Sequence, residues 1–448
     1  MLRVNYFRKT GQLLIVTLFI TGVFNPCLSQ SPNYEAAGWN TWFLDNPDQI
    51  TIPPPPIVSQ LKIELQAIKQ RVAKLDKKQV AEIKYWNAGA PAHRWNQIAP
   101  KLISYDRFDI IARTPTAWMN LAIYDATVLA WRAKVKYKTK RPHDMDPSIK
   151  TAIDAPATYS YPCEHTVTAA AAATVLAYFF PEKGDSILQL AHAASQSRIN
   201  AGLQFQSDAD AGWKLGEAVA KQIIEKAKKD GATMDWKGPV NKDPKKWTGS
   251  FPMGITLPLM KPLVLNSADQ FRPVAPPDFE ADMNELKKFK RNFSSNSLAY
   301  YWANNGGYDY WSDLAAKKMF ENRVDDAPSV ARIYAVLHIA YHDVVIAIFD
   351  AKYTYWGIRP DQYDSTYKAL IQTPPFPGYP SGHAAGSSTT ATVLEYFFPA
   401  DAKEFRKLAK DCADSRFFAG IHFRTDNEVG TAMGKELGQY IAERLMKK

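Results

Sequence analysis

The chain repeats itself, and that repeat constrains the fold more than any other feature. Shifted by 218 positions, Asp125–Asp208 lies on Asp343–Asp426 without a gap over 84 residues, and 29 of the pairs are identical. Thr174–Pro181 and Thr392–Pro399 agree at seven of eight positions. Two unrelated amphipathic helices coincide only where apolar residues recur. Here the connecting loops coincide as well, so a whole folding unit has been duplicated.

The unit is helical. Leu61, Ile63, Leu65, Ile68, Val72 and Leu75 recur at helical spacing and predict an amphipathic helix from Ile57 to Tyr85. Helical patterns continue to Lys229, stop, and resume from Glu280 to the end, with no convincing β pattern. The interruption, Asp235–Phe279, carries eight prolines. An irregular stretch that long is usually functional or wraps a neighbouring domain. The expected class is therefore all-α: two related helical bundles joined by a long Pro-rich connection. The expected divisions are a signal peptide at 1–29, an extended lead-in at 30–56, a first module at 57–234, the connection at 235–279 and a second module at 280–448.

Arg3, Arg8 and Lys9 precede the apolar run Leu13–Phe24, and small residues suited to cleavage follow it up to Ser29. This reads as a secretory signal, so the mature chain is expected to be secreted or periplasmic. Cys27 lacks the small residues that precede a lipidated cysteine, which disfavours a lipoprotein. No later run reaches 18 apolar residues, so no transmembrane segment is expected after the signal. Three cysteines make no disulfide framework, and Cys163 and Cys412 are expected as buried thiols. The net charge of +10 is modest for 448 residues. It suits attraction of small anions better than a nucleic-acid groove.

The second module concentrates the chemistry. Lys352, Arg359 and Arg416 are three cations suited to a tetrahedral oxyanion, on which an arginine forks two donors. Ser381-Gly382 directly precedes a helical run beginning near His383. The serine can cap that helix, the glycine admits close approach, and free N–H groups at a helix start bind anions. His422 and Asp426 are four apart and would share a face if their segment is helical. The carboxylate would then hold one imidazole nitrogen protonated, leaving His383 as a second proton-transfer group. Singly, each motif has an ordinary structural explanation. Together and in this order they describe an anion cradle, a nucleophile or ligand, its orienter and an acid–base.

These three motifs resemble the type 2 phosphatidic acid phosphatase (PAP2) and vanadium-dependent haloperoxidase superfamily. The resemblance spans roughly residues 90 to 445 and takes in Asp343 nine positions before Lys352 and, less specifically, Gln270-Phe271-Arg272-Pro273. It implies that Lys352, Arg359, Ser381, Gly382 and Arg416 bind phosphate or vanadate. It implies His422 as the phosphorus nucleophile or the vanadium ligand, His383 as general acid or base, Asp426 as orienter of His422, and Lys352 as a further catalytic group. By the same resemblance Asp343 is expected to partner an active-site arginine.

In the first module Lys134, Arg141, His165, Arg198 and Asp208 are retained, while Ser381, Gly382 and His422 become Cys163, Glu164 and Gln204. Glutamine is no nucleophile, and a carboxylate opposes anion binding. Glu164 is expected to pair with Lys134 or Arg198 and neutralise a decayed site.

Phosphate and vanadate are near-isosteric, so the motif alone leaves two activities open. Two fused modules with one intact site, the connecting stretch, and Phe376 seven residues before His383 favour a vanadate-dependent haloperoxidase-like enzyme acting on hydrogen peroxide and halide. The alternative is an acid phosphatase hydrolysing phosphomonoesters through a phosphohistidine, with no cofactor. Pure anion capture would need neither His383 nor Asp426. A zinc half-site at His338 and His342 is less expected than helix packing. The role of the 57–85 helix stays open, packing across a homodimer being one option.

Overall fold

Each helix of one half has a counterpart in the other. The first half comprises Val58–Ala73 (α1), Lys77–Trp86 (α2), Pro91–Leu102 (α3), Thr114–Tyr137 (α4), the single turn Pro142–Met145 (α5), Glu164–Phe179 (α6), Gly184–Asn200 (α7) and Gln206–Ala227 (α8). The second comprises Glu280–Lys288 (α9), Phe293–Asn304 (α10), Tyr308–Glu321 (α11), Ala327–Tyr355 (α12), Pro360–Tyr363 (α13), Gly382–Phe397 (α14), Ala402–Ala419 (α15) and Arg424–Met446 (α16). The 218-residue shift maps α5 and α6 onto α13 and α14 residue for residue. This computed structural model describes residues 32–103, 114–304 and 308–446, and no strand occurs among them. The signal segment at 1–29 lies outside the described residues.

α4 and α12 are mostly apolar and buried along nearly their whole length, as suits helices surrounded on all sides. α12 is long and apolar enough to cross a membrane, yet most of it is buried within the protein. The two helices pack on each other, α4 also on α6 and α12 also on α14. Within each half the helix bearing the conserved aspartate (α8 or α16) lies close against the helix bearing the cap motif (α6 or α14). Glycine permits that approach. A Cβ on Gly430 would stand 2.6 Å from the Ser381 carbonyl oxygen, and one on Gly434 would run into that of Ala385. Gly212 and Gly216 repeat the device on α8. The approach lets the Ser381 N–H donate to the Asp426 carbonyl at 2.9 Å, and the Cys163 N–H to that of Asp208 at 3.0 Å.

The expected 57–85 helix is broken into α1 and α2. Asp76 caps α2 by accepting from the Gln79 N–H at 2.7 Å, and the Gln79 side chain accepts from the Asp76 N–H in return. Leu61, Leu65 and Ile68 of α1 are buried against Ile149, Ile199, Phe205 and Ala209 of the same chain.

The Pro-rich stretch is more than a connection, for its second half is the lead-in of the second module. Asp125, fully buried on α4, accepts from the Trp42 and Phe43 N–H groups at 2.7 and 3.0 Å. Its repeat equivalent Asp343 accepts from Leu263, Val264 and Leu265 at 2.6, 2.7 and 3.0 Å. Tyr137 and Tyr161 donate to the Ile52 and Pro53 carbonyls, and their equivalents Tyr355 and Tyr379 donate to those of Pro273 and Val274. Arg272 completes the anchoring through Asp350 at 2.6 and 2.8 Å.

Asp343 is therefore not the arginine partner expected from the resemblance. It sits nine residues before Lys352 on one helix, about 13 Å along the axis, and serves the lead-in instead. Its neighbour His342 hydrogen-bonds to it through Nδ1 at 3.0 Å, and His338 stacks on Tyr334, so both histidines pack the core rather than share a metal. Burial holds the His338 imidazole down at about 3. Cys163 and Cys412 are free and buried.

Asp343→Ala would strand three backbone donors that now share one carboxylate. A loss of about 3 kcal/mol is expected in urea melts. An unchanged midpoint would show that the lead-in docks without it.

Candidate active site

The candidate residues converge from five segments. The last turn of α12 supplies Lys352, the cap of α13 supplies Arg359, and the start of α14 supplies Ser381, Gly382 and His383. The last turn of α15 supplies Arg416, and the loop into α16 with its first turn supplies His422 and Asp426. Ser381 caps α14, its Oγ accepting from the Ala384 N–H at 3.4 Å. Lys352, Arg359, Ser381, Arg416, His422 and Asp426 are each at most 2% exposed. Gly382 and His383 are only half-buried, so the cradle meets the surface on their side.

Backbone carbonyls hold the cations in place. Lys352 Nζ donates to Pro377 and Gly378 at 2.6 and 2.8 Å. Arg359 donates from Nε to Phe376 at 3.1 Å and from Nη1 to Ile421 at 2.7 Å. Arg416 donates from Nε to Ser415 Oγ and from Nη2 to the Ala299 carbonyl, both at 2.9 Å. Arg359 Nη2 is buried with no hydrogen-bond partner. The Phe376 ring centroid lies 5.2 Å from both Lys352 Nζ and the Arg359 guanidinium carbon, so this half-buried ring faces two cations rather than merely filling the loop.

His422 and Asp426 meet, though not across a helix face as their spacing suggested. His422 lies in the loop before α16, and Asp426 in the first turn reaches back to it. Asp426 Oδ2 accepts from His422 Nδ1 at 2.9 Å and from the Phe423 N–H at 3.0 Å. With Nδ1 protonated, His422 Nε2 carries the lone pair, and Arg359 Nη1 donates to it at 2.9 Å. Burial pushes the Asp426 carboxyl up to about 7, against the pull of the Phe423 N–H, Arg359 and Lys352.

The electrostatics of the site resist positive charge. Burial and then Arg359 push the Lys352 ammonium well below its usual range, and burial lowers Arg359 to about 10. Burial, then Arg359 and Lys352, depress His422. Burial, then Arg416 and Arg359, depress His383, against the opposing pull of the hydrogen bond it donates to the Trp302 backbone carbonyl. One carboxylate stands against three buried cations, an arrangement that a bound oxyanion would relieve.

The first module contains the same framework with an internal partner. Glu164 pairs with Lys134 Nζ at 2.9 Å, as expected, and with Arg141 Nη2 at 3.2 Å. Arg198, the other expected partner, binds Ser197, Asn87 and the Ile83 carbonyl instead. No sequence pattern marks the carbonyls of Pro377, Gly378, Phe376 and Ile421, because every residue type carries one.

Residues 361–448 match the family model of the VCPO second helical-bundle domain, and residues 116–230 match that of the PAP2 superfamily. The PAP2 match thus falls on the module filled by Glu164, and the VCPO match on the one carrying His383, Arg416 and His422. No curated protein sequence matches the chain. Among solved structures, a bacterial vanadium-dependent iodoperoxidase is similar at 20% identity with a TM-score of 0.57, covering 88% of this chain and 98% of its own. A holo-type bacterial vanadium-dependent chloroperoxidase is similar at 16% identity with a TM-score of 0.59, covering 77% and 94%. At these identities the likeness is one of fold.

A histidine held neutral in the fold takes up its proton only on unfolding, so it removes stability as pH falls below its ordinary value of 6.5. Relative to a His383→Ala variant, the protein is expected to lose about 1 kcal/mol between pH 6.5 and 5.5. Urea melts of both proteins at the two pH values measure this. A pH-independent gap would mean that His383 is charged in the fold.

Proposed function

We propose, from the premise that this chain joins a PAP2-superfamily domain to a VCPO second helical-bundle domain, that it is a vanadate-dependent haloperoxidase-like enzyme of the secreted or periplasmic space. One observation carries the reading: of two equivalent cation cradles, the second alone has a neutral histidine at position 422 and an arginine Nη2 without a partner. The two-module likeness to bacterial vanadium haloperoxidases over nearly their whole length supports the peroxidase over the phosphatase.

The donor set suits a tetrahedral oxyanion such as vanadate. Lys352, Arg359 and Arg416 supply charge-assisted donors, and Ser381 with the Gly382 N–H lies at the start of α14. His422 Nε2 offers a lone pair to the metal, while Asp426 keeps the Nδ1 proton in place and so fixes the tautomer. Vanadate, when bound, supplies activation of hydrogen peroxide for two-electron oxidation of halide. The overall change is halide plus hydrogen peroxide plus a proton giving hypohalous acid and water. His383, on the open side of the cradle and neutral, handles that proton. Burial of the remaining groups excludes water and strengthens every contact to the anion.

The reading is tested on protein lacking residues 1–29, with and without orthovanadate. Iodide and bromide oxidation by hydrogen peroxide is assayed beside hydrolysis of an aryl phosphate. The expected outcome is halide oxidation that requires vanadate and falls at least about 100-fold in His422→Ala and His383→Ala. Vanadate-inhibited phosphate release without halide oxidation would make it a phosphatase acting through a phosphohistidine at His422. Near wild-type turnover in His422→Ala would overturn the assignment of the second module.

A further inference from the structure

The first module's cradle holds an anion of its own. Lys134, Arg141, His165 and Asp208 stand at the repeat positions of Lys352, Arg359, His383 and Asp426 in the second module, and α5 and α6 share both ends with α13 and α14 under the same shift. The substitutions between the two all act in one direction. Glu164, at the position of Gly382, places Oε2 2.9 Å from Lys134 Nζ and Oε1 3.2 Å from Arg141 Nη2. Thr158, at the position of Phe376, accepts Arg141 Nη2 on its hydroxyl at 2.6 Å, whereas Arg359 Nη2 has no partner. His165 borders the carboxylate, its Nδ1 3.8 Å from Glu164 Oε1, and both of its ring nitrogens are buried without a hydrogen bond.

The carboxylate also behaves as a ligand would. Burial pushes Glu164 up, but Lys134 and then Arg141 hold it well below the usual carboxylate range, so it remains charged at neutral pH. Two carboxylate oxygens bridging a lysine and an arginine reproduce two oxygens of a tetrahedral oxyanion.

We propose that Glu164 is a built-in oxyanion, so that the native chain takes up one tetrahedral oxyanion rather than two, and that removing its carboxylate opens a second phosphate- or vanadate-binding site at Lys134 and Arg141. The proposal rests on reading the second module as an oxyanion cradle. It has a reciprocal. A Cβ added at Gly382 meets only Ile348 Cγ2, at 3.8 Å, so the first carbon of a glutamate side chain enters there without collision. Gly382→Glu closes the second cradle as Glu164 closes the first.

Isothermal titration with inorganic phosphate tests this on the wild type, Glu164→Gly, Gly382→Glu and the double variant. The expected stoichiometries are one, two, none and one, the double variant having moved the site from one module to the other. A Glu164→Gly protein with native circular dichroism that binds no more phosphate than the wild type overturns the proposal. Should that variant not fold, Glu164→Gln is expected to lower the Tm and to recover it in phosphate by more than the wild type gains. Equal gains overturn the proposal. A wild type that binds none beside a Glu164→Gly protein that binds one would sink the reading of the second module, and with it the native stoichiometry, while upholding Glu164 as the group that fills the Lys134–Arg141 cradle.

Discussion

The site exists because α16 can lie against α14 at a distance that only glycine allows. Gly430, Gly434 and Gly438 face the backbone of Ser381, Ala385 and Thr389, one helical turn apart on each side. That contact carries the Asp426 carbonyl to the Ser381 N–H and the Asp426 side chain to His422. Any side chain at those positions would lever α16 away, separating the loop with His422 from the start of α14. The first module uses Gly212 and Gly216 to the same end, so the geometry predates the divergence of the two sites.

Within that frame each module has buried cations, and the two dispose of the charge differently. Taking a guanidinium or ammonium out of water costs several kcal/mol unless a counter-charge accompanies it. The first module meets the cost with Glu164 and Thr158. The second has no such carboxylate on Lys352 and Arg359, and Arg359 Nη2 is left without a hydrogen-bond partner where Arg141 Nη2 has Thr158 and Glu164. An environment that resists positive charge and retains an unpartnered donor is the kind an external anion would suit, which is the basis of the function proposed for it. Carbonyl acceptors on Lys352 and Arg359 keep both side chains extended meanwhile, so little ordering remains for the moment of binding.

The extended segments follow the same duplicated plan as the helices. Each wraps its own module and ends its backbone N–H groups on a buried aspartate in the central helix. A chain without secondary structure can be buried only if such donors find acceptors, and a single carboxylate accepting two or three N–H groups is an economical answer. The duplication was visible in residues 125–208 and 343–426 by identity, but not in the lead-ins. There the bonds run from backbone to side chain, and the identity of the donor residue is immaterial.

The sequence by itself determined the helical class, the duplication, the module with the full motif and the replacement of Ser381, Gly382 and His422 by Cys163, Glu164 and Gln204 in the other, because these depend on residue type and spacing within short stretches. It also placed Lys352, Arg359, Ser381, Gly382, His383, Arg416, His422 and Asp426 in one site by motif. Only the tertiary structure decided that His422 stands off the helix, that Asp343 serves the lead-in, that Glu164 takes Arg141 rather than Arg198, and that Arg359 keeps one nitrogen unpartnered where Arg141 does not. The reason is physical. A hydrogen-bond partner is chosen by the distance between segments far apart in the chain and as often as not is a backbone carbonyl, which every residue carries and no sequence pattern marks.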